Sequence, residues 1–171
     1  MKARRILLIL VILLLAIQLY RPAKTNPPEN PSLTLNAHAE VPAELDATFA
    51  RSCNDCHTYR TTWPWYSNVA PVSWFVISDV NDGRRHLNLS DWGKYKPEQM
   101  QRKLSEMCDE VDEGEMPLKQ YTWIHRVAGL DGPQRQQICA WTKAEQARIT
   151  TKTGVQVPAR GREGMHAEEK K

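Results

Sequence analysis

The chain has 171 residues, a formal net charge of +3 and 25% charged residues. This length leaves room for a single domain. We expect no nucleic-acid partner. The sequence contains four cysteines, two of which stand only three positions apart.

The N-terminal segment is typical of a secretory signal. Three basic residues within the first five precede an unbroken apolar or neutral run over residues 6–20, which is the order of a basic region and a hydrophobic region in such signals. Residues 20–22 are a poor cleavage context, and the small residues around position 38 lie far downstream. We therefore predict an uncleaved anchor helix, residues 1–21, in the bacterial inner membrane, with the remainder on the periplasmic side.

Two segments without apolar periodicity flank the predicted domain. Residues 22–40 are rich in proline and asparagine, so we predict a semi-extended tether. Residues 150–171 contain no aromatic residue and have mixed charge, so we predict a disordered tail. The domain itself is expected over residues 41–149.

Apolar residues at helical spacing predict helices in this domain. Pro42 can begin the first helix. Its apolar face would carry Leu45, Phe49, Cys53 and Cys56. The run VSWFVISDV, which follows Pro71, is apolar nearly all round and predicts a short buried helix that ends near Asp82 and Gly83.

Two further helices are predicted from their end signals. One follows Pro97 and ends at Gly114, and we expect its Met100 and Met107 in the core. The other begins with a capping box of Asp131 and Gln134 and continues to about Ile149. No stretch alternates like a strand, so the predicted fold class is all-α.

Two long connections separate these helices, at residues 58–71 and 114–130. They contain six aromatic residues: Tyr59, Trp63, Trp65, Tyr66, Tyr121 and Trp123. A domain of this size with so little regular structure is short of core. A large apolar cofactor would supply the missing buried surface.

Residues 53–57 read C-x-x-C-H, for which three chemistries compete. A structural zinc site needs four ligands, and no second cysteine pair or spaced histidine pair completes one. A thioredoxin-like dithiol expects a β-α-β context, which the pattern lacks. Haem attachment fits the spacing and the exported compartment, because helical residues at i and i+3 share a face. We predict one covalently attached haem c, held by Cys53 and Cys56, with His57 as the proximal iron ligand.

The chain resembles the haem-binding domain family of exported bacterial proteins, related to c-type cytochromes, in three runs. These runs are CNDCHTYRTTWPWYSNVAPVSWFV, DVNDGRRHLNLSDW and GEMPLKQYTWIH. The resemblance covers residues 40–145 and implies a small mono-haem domain with a cytochrome-c-like helical fold on the periplasmic side. The chain departs from the family pattern at residues 125–134, which replace a usual helix start, and at Leu89, where an aromatic residue is common.

The distal iron ligand has three candidates. Met116 comes just after Gly114, which ends a helix, and directly before Pro117, which suits a loop that delivers a thioether to iron. Its Met-Pro pair also resembles the distal ligand segment of class I cytochromes c, so we predict Met116. His86 and His125 are the alternatives.

Two other pairs of residues carry predictions. Arg84 and Arg85 could bind the haem propionates, because arginine recognises carboxylates through paired hydrogen bonds; the alternative is a solvated pair at a helix end. Cys108 and Cys139 have no metal-like neighbours, and an exported chain meets an oxidising compartment. We predict that they form a disulfide rather than remaining two buried thiols.

These features predict an electron carrier, not an enzyme, and no catalytic residue. Ligation by His57 and Met116 would leave the iron no open position for a substrate. The protein would pass single electrons between periplasmic redox proteins while its N-terminal helix holds it to the membrane. The alternatives are a haem-based sensor or peroxidase-like protein, which requires a vacant distal position, and an interaction module that haem stabilises.

Overall fold

The computed structural model describes residues 2–157, and this part of the chain is helical without strands. The predicted all-α fold class is therefore confirmed. The helices are α1 (Lys2–Ile17), α2 (Leu35–His38), α3 (Ala43–Ser52), α4 (Asn54–His57), α5 (Val72–His86), α6 (Pro97–Glu113), α7 (Lys119–Ile124) and α8 (Gly132–Thr153). Short 3-10 turns lie at Pro31–Leu33, Trp65–Asn68, Leu89–Lys94 and Arg126–Ala128.

The chain divides into two compact units. The first, which we call the attachment unit, comprises residues up to 30 and residues 54–90, and the second, the core unit, comprises residues 31–53 and those from 91 onward. The division falls within the C-x-x-C-H motif, so that Cys53 belongs to the core unit and Cys56 to the attachment unit.

The attachment unit is built on α5, which packs against α4 and the turn at Trp65–Asn68. The buried side chains of α5 are Ser73, Ile77 and Val80. The prediction of a short helix buried all round is wrong in two respects: Val72 and Phe75 are exposed, and the helix continues past Gly83 to His86. Only one face of α5 finds a partner within the unit.

The N-terminal helix α1 exposes its apolar side chains, which are 45–63% exposed between Ile6 and Leu15. Among residues 2–157, no helix combines the length and the apolar character that crossing a bilayer requires. Beyond α1, the Gln18 side chain donates to the carbonyl of Ala70 and accepts from its N–H. The chain that leaves α1 is thus hydrogen-bonded to the start of the α5 region.

Residues 22–40, predicted as a tether, make many contacts. In the attachment unit, Asn26 Nδ2 donates to the Thr61 carbonyl at 2.8 Å. Glu29 accepts a hydrogen bond from Ser90 Oγ, and its Oε2 lies 3.5 Å from Arg60 Nε. We call residues 24–29 the strap. In the core unit, Leu35 and Ala39 are buried. Most contacts of this segment are made by polar groups. Its sequence therefore lacks the apolar periodicity from which an ordered structure could have been predicted.

The core unit is organised around α6 and α8. Leu104 on α6 and Ile138 on α8 are fully buried, and the Gln101 and Gln146 side chains each donate to the other's backbone carbonyl at 2.9 Å. The structure also contains a disulfide between Cys108 and Cys139, the pair that the sequence predicts. This unit has an apolar core of its own.

Local end signals set the bounds of α6 and α8. Gly114 ends α6 in the left-handed region with φ of 75°, and Asp131 and Gln134 form the predicted capping box of α8. Helix α8 continues to Thr153, so the predicted tail begins inside a helix, and residues 158–171 of that prediction lie outside the described residues. Met100 and Met107 are half-buried rather than part of the core.

Candidate functional site

The C-x-x-C-H motif does not lie on one continuous helix. Helix α3 ends at Ser52, and Cys53 follows with φ of −124°, outside the helical range. Helix α4 then begins anew at Asn54. The prediction that Cys53 and Cys56 extend the apolar face of the first helix is therefore wrong. The position of α4 depends on its contacts with α5, which lies further along the chain. The spacing of apolar residues around the motif cannot predict such contacts.

His57 is held by two backbone carbonyls. Its Nδ1 lies 3.0 Å from the oxygen of Gly83 and 2.9 Å from that of Leu87. Because both partners are acceptors only, Nδ1 must carry the hydrogen. The ring lone pair then lies on Nε2, and an imidazole fixed in this tautomer by a carbonyl partner is the usual arrangement for a metal ligand.

A close approach between α4 and α5 supports this arrangement. A Cβ placed on Gly83 would lie 2.7 Å from the Cys56 carbonyl oxygen and 3.1 Å from Cys56 Cβ. Real Cβ atoms do not come so close to a backbone oxygen, so any larger residue at position 83 would force α4 and α5 apart. Gly83 permits the contact between the helices and does not end α5.

The Cys56 thiol lies in an environment that keeps it protonated. Burial, with the negative charges of Asp55 and Asp79, raises its pKa from 9.0 to about 11, and the opposing effect of Arg84 is smaller. Dithiol oxidoreductases need a thiolate with a lowered pKa. Neither Cys53 nor Cys56 is in a disulfide. The environment of Cys56 therefore disfavours its thiolate, which is the reactive form of a thiol.

The loop after His57 closes onto the motif. Thr58, which is buried, donates through Oγ1 to the Asn54 carbonyl at 2.6 Å. Thr61 Oγ1 donates to the Asp55 carbonyl at 2.7 Å, and the Asp55 carboxylate accepts from the Thr62 N–H at 2.9 Å. These short-range bonds connect α4 to the loop that follows it.

Arg84 joins this loop to the strap. Its Nε donates to the Thr58 carbonyl at 2.8 Å, Nη1 to the Thr25 carbonyl at 2.7 Å, and Nη2 to Thr61 Oγ1 at 2.7 Å and Asn26 Oδ1 at 3.0 Å. Four of the five guanidinium hydrogens are thus used. The structure gives Arg84 a positioning role that the sequence does not indicate; its predicted contact with a propionate stays a prediction.

Two other predicted residues lie near the C-terminal end of α5. Arg85 forms an exposed ion pair with Asp82 at 2.6 Å, which matches the solvated alternative at a helix end; its contact with a propionate also stays a prediction. His86, an alternative distal ligand, is the last residue of α5, and its side chain is exposed.

The other candidate distal ligands belong to the core unit. Met116 is half-buried in the connection after α6, where its N–H donates to the Glu110 carbonyl at 3.1 Å. His125, at the end of α7, stacks on Tyr121 with ring centroids 4.4 Å apart. The choice between Met116, His86 and His125 stays a prediction.

No three His, Cys, Asp or Glu side chains within residues 2–157 are grouped so as to hold a metal ion by themselves. One buried polar atom near the motif, Ser52 Oγ, has no hydrogen-bond partner in this part of the chain. The structure thus offers one oriented imidazole, that of His57, next in the sequence to the Cys56 thiol.

These features fit a haem protein: the imidazole of His57 is held so that its Nε2 could ligate iron, and the Cys56 thiol, next in the sequence, is in its protonated form. The model of the haem-binding domain family matches residues 12–144 of the chain. The chain belongs to this family, which confirms the resemblance seen in the sequence. No curated protein and no solved structure gave a match. The residues present fit a haem, because His57 is already in the tautomer that iron ligation needs.

Proposed function

We propose that the chain is a c-type cytochrome with one haem, which carries single electrons between redox proteins in the periplasm. Cys53 and Cys56 would each hold the haem through a thioether, and His57 would be its proximal ligand. The bound haem supplies one-electron chemistry, since its iron alternates between ferric and ferrous states. The observation that carries the proposal is the hydrogen bonding of His57 Nδ1 to two carbonyls.

Two properties of the motif support a covalent and rigid site. The raised pKa of Cys56 keeps its sulfur in the thiol form before attachment. The two carbonyls fix the imidazole plane, because each accepts from the same N–H. A ligand that does not reorient when the charge on the iron changes suits electron transfer.

Met116 is the proposed distal ligand. It is half-buried, two residues after the left-handed Gly114 and directly before Pro117, on a connection whose start is held by the Glu110 carbonyl. A thioether in this position would complete the coordination of the iron, so that the protein would have no site for a substrate.

The exposed apolar residues of α1 support a location at the inner membrane. Lys2, Arg4 and Arg5 would stay on the cytoplasmic side, and the residues after α1 would be exported. The first 21 residues would hold the protein to the bilayer without cleavage.

The absorption spectra of purified protein, oxidised and reduced, test the electron-carrier assignment. A six-coordinate, low-spin spectrum with a methionine-to-iron charge-transfer band is expected, and the reduced protein should not bind carbon monoxide. A high-spin spectrum with immediate carbon monoxide binding would contradict it and favour the sensor or peroxidase-like alternative.

A further inference from the structure

The attachment unit exposes four large apolar side chains within a stretch of eleven residues. Trp65 is 77% and Phe75 68% exposed, and Val69 and Val72 are each 44% exposed. We call these four residues the interfacial patch. Buried residues of the same stretch, Ala70 and Ser73, face the unit's interior, so the patch is the outward side of a well-packed segment.

The patch continues from the apolar N-terminal helix. The backbone of Ala70, in the middle of the patch, exchanges two hydrogen bonds with the Gln18 side chain, just after α1. Trp74 Nε1 donates to the Tyr20 carbonyl at 3.0 Å, and the two rings meet edge to face with centroids 5.7 Å apart. Leu19 is itself 86% exposed. The exposed apolar surface therefore passes from α1 through residue 19 to the patch.

Polarity changes along the exposed face of α5. The exposed positions of its first turn are Val72 and Phe75, whereas the following ones are Ser78, Asn81, Arg85 and His86. Asn81 is six residues, about 9 Å, further along the helix axis than Phe75. A change from valine and aromatic side chains to polar ones over such a distance is typical of the boundary between a bilayer and water, where tryptophan is enriched.

Basic residues stand at the same end of the unit. Arg21 and Lys24 are exposed, and Lys24 Nζ is held near the patch by the side chains of Ser67 and Asn68. Cationic side chains just outside an apolar anchor attract the anionic headgroups of a bilayer. The charges thus favour a lipid surface over a second copy of this chain, which would bring the same cations together.

The strap connects this surface to the part of the same unit that carries Cys56 and His57. Arg84 holds Thr25 and Asn26, and Ser90 holds Glu29, so the chain from α1 to residue 29 is bonded to the unit. Gly83, which His57 contacts, lies eight residues, about 12 Å, from Phe75 along α5. The patch is therefore separate from the surroundings of His57.

We propose that the attachment unit docks on the membrane surface through the interfacial patch, so that its orientation is fixed against the bilayer and does not vary on a flexible tether. This inference rests on the proposed N-terminal anchoring. The strap and the patch act together: the strap removes the slack between α1 and the unit, and the patch enters the headgroup region.

Photo-crosslinking to lipid tests the docking with the full-length holoprotein. The protein is placed in vesicles of phosphatidylcholine and phosphatidylglycerol that contain a lipid with a diazirine near the top of the acyl chain, and adducts are located by peptide mass spectrometry. Adducts are expected on α1 and on residues 65–75, and none on residues 78–90. The double variant Trp65→Ser, Phe75→Ser should lose the adducts on residues 65–75 but keep those on α1, whereas Asn81→Ser should match the parent. Haem staining of each variant checks that the unit still folds.

The remaining outcomes overturn the inference in distinguishable ways. Adducts on α1 alone would show that the protein is anchored but that the patch stays in water. Crosslinks from one chain to another at residues 65–75 would show that a second copy covers the patch. If the protein does not float with the vesicles at all, the proposed anchoring fails together with the docking.

Discussion

The attachment unit and the core unit are stabilised by different means. Of the fifteen buried hydrophobic residues among those described, only Ala70, Ile77, Val80 and Leu89 lie in the attachment unit. This unit depends instead on polar contacts centred on Arg84 and on the contact of Gly83 with Cys56. The core unit contains the other eleven and the disulfide.

This difference indicates where the cofactor matters for folding. Hydrogen bonds contribute about 0.5–1.5 kcal/mol each to stability, because they replace bonds to water, whereas a buried large apolar side chain contributes about 1.5–3 kcal/mol. Without haem, the attachment unit therefore buries little apolar surface, and we expect it to lose stability. The core unit has its own buried apolar residues and is expected to stay folded without haem.

The largest expected effect concerns the distal ligand. Replacing Met116 by alanine should open the coordination site, so that the reduced protein binds carbon monoxide, and should lower the reduction potential, because methionine favours ferrous iron. Met107→Ala, another half-buried methionine of the core unit, should change neither property. Spectra and redox titration of the two variants decide it. If Met116→Ala matches the parent, His125 and His86 become the candidates.

Removing the disulfide should strongly destabilise the core unit. The bridge joins residues 31 apart, and loop-closure entropy predicts a loss of about 3–4 kcal/mol in the double variant Cys108→Ser, Cys139→Ser. Denaturant unfolding of the parent and the variant, without reductant, gives the difference in the free energy of unfolding. Hydrogen exchange should show that the variant loses protection in α6 and α8. Thiol counting on unreduced, unfolded parent protein is the control. Two reactive cysteines there, beyond the haem-linked pair, would contradict the disulfide.

A methyl group at Gly83 should disturb the attachment unit. Alanine gains about 1 kcal/mol of helix propensity, but overpacking against the Cys56 carbonyl costs typically about 1–3 kcal/mol. We expect a net loss of unfolding free energy and less attached haem in Gly83→Ala. Gly132→Ala is the matched control, because no atom lies within 4 Å of its Cβ position. Equal behaviour of the two variants would show that the close approach is not needed.

The smallest expected effect is a pH dependence of the haem-free protein. Burial raises the pKa of Cys56 to about 11, so the folded chain keeps a proton that the unfolded chain releases above about pH 9. Ionisation therefore favours unfolding, and stability should fall as pH rises from 9 towards 11. Cys56→Ala should lack this component of the slope. A parent and a variant with identical slopes would show that the thiol is not buried in solution.

The sequence predicts those parts of the fold that nearby residues determine. Pro97 and Gly114 bound α6 correctly because a fixed φ and a left-handed φ act at the positions where they occur. Asp131 and Gln134 identify the start of α8 for the same reason: both halves of a capping box lie within four residues. The motif at residues 53–57 likewise led to the haem-binding family, which the family match confirms, while the role of each of its residues stays a prediction.

The parts that sequence reasoning missed depend on distant contacts. The sequence predicts that Gly83 ends a helix. In the structure Gly83 instead permits a close contact with Cys56, 27 positions earlier. The strap reads as a tether because its partner Arg84 lies almost 60 residues away. Phe75 reads as core since an apolar run does not say which of its faces will find a partner. No local signal could have identified these contacts.

Covalent haem attachment through Cys53 and Cys56 is the central claim, and haem staining of a denaturing gel tests it most directly. The parent protein, exported in a host that matures c-type cytochromes, should retain the stain after boiling in denaturant. The double variant Cys53→Ala, Cys56→Ala should show none, and each single variant should keep one thioether at most. A double variant that still stains, or a parent that does not, would contradict the account.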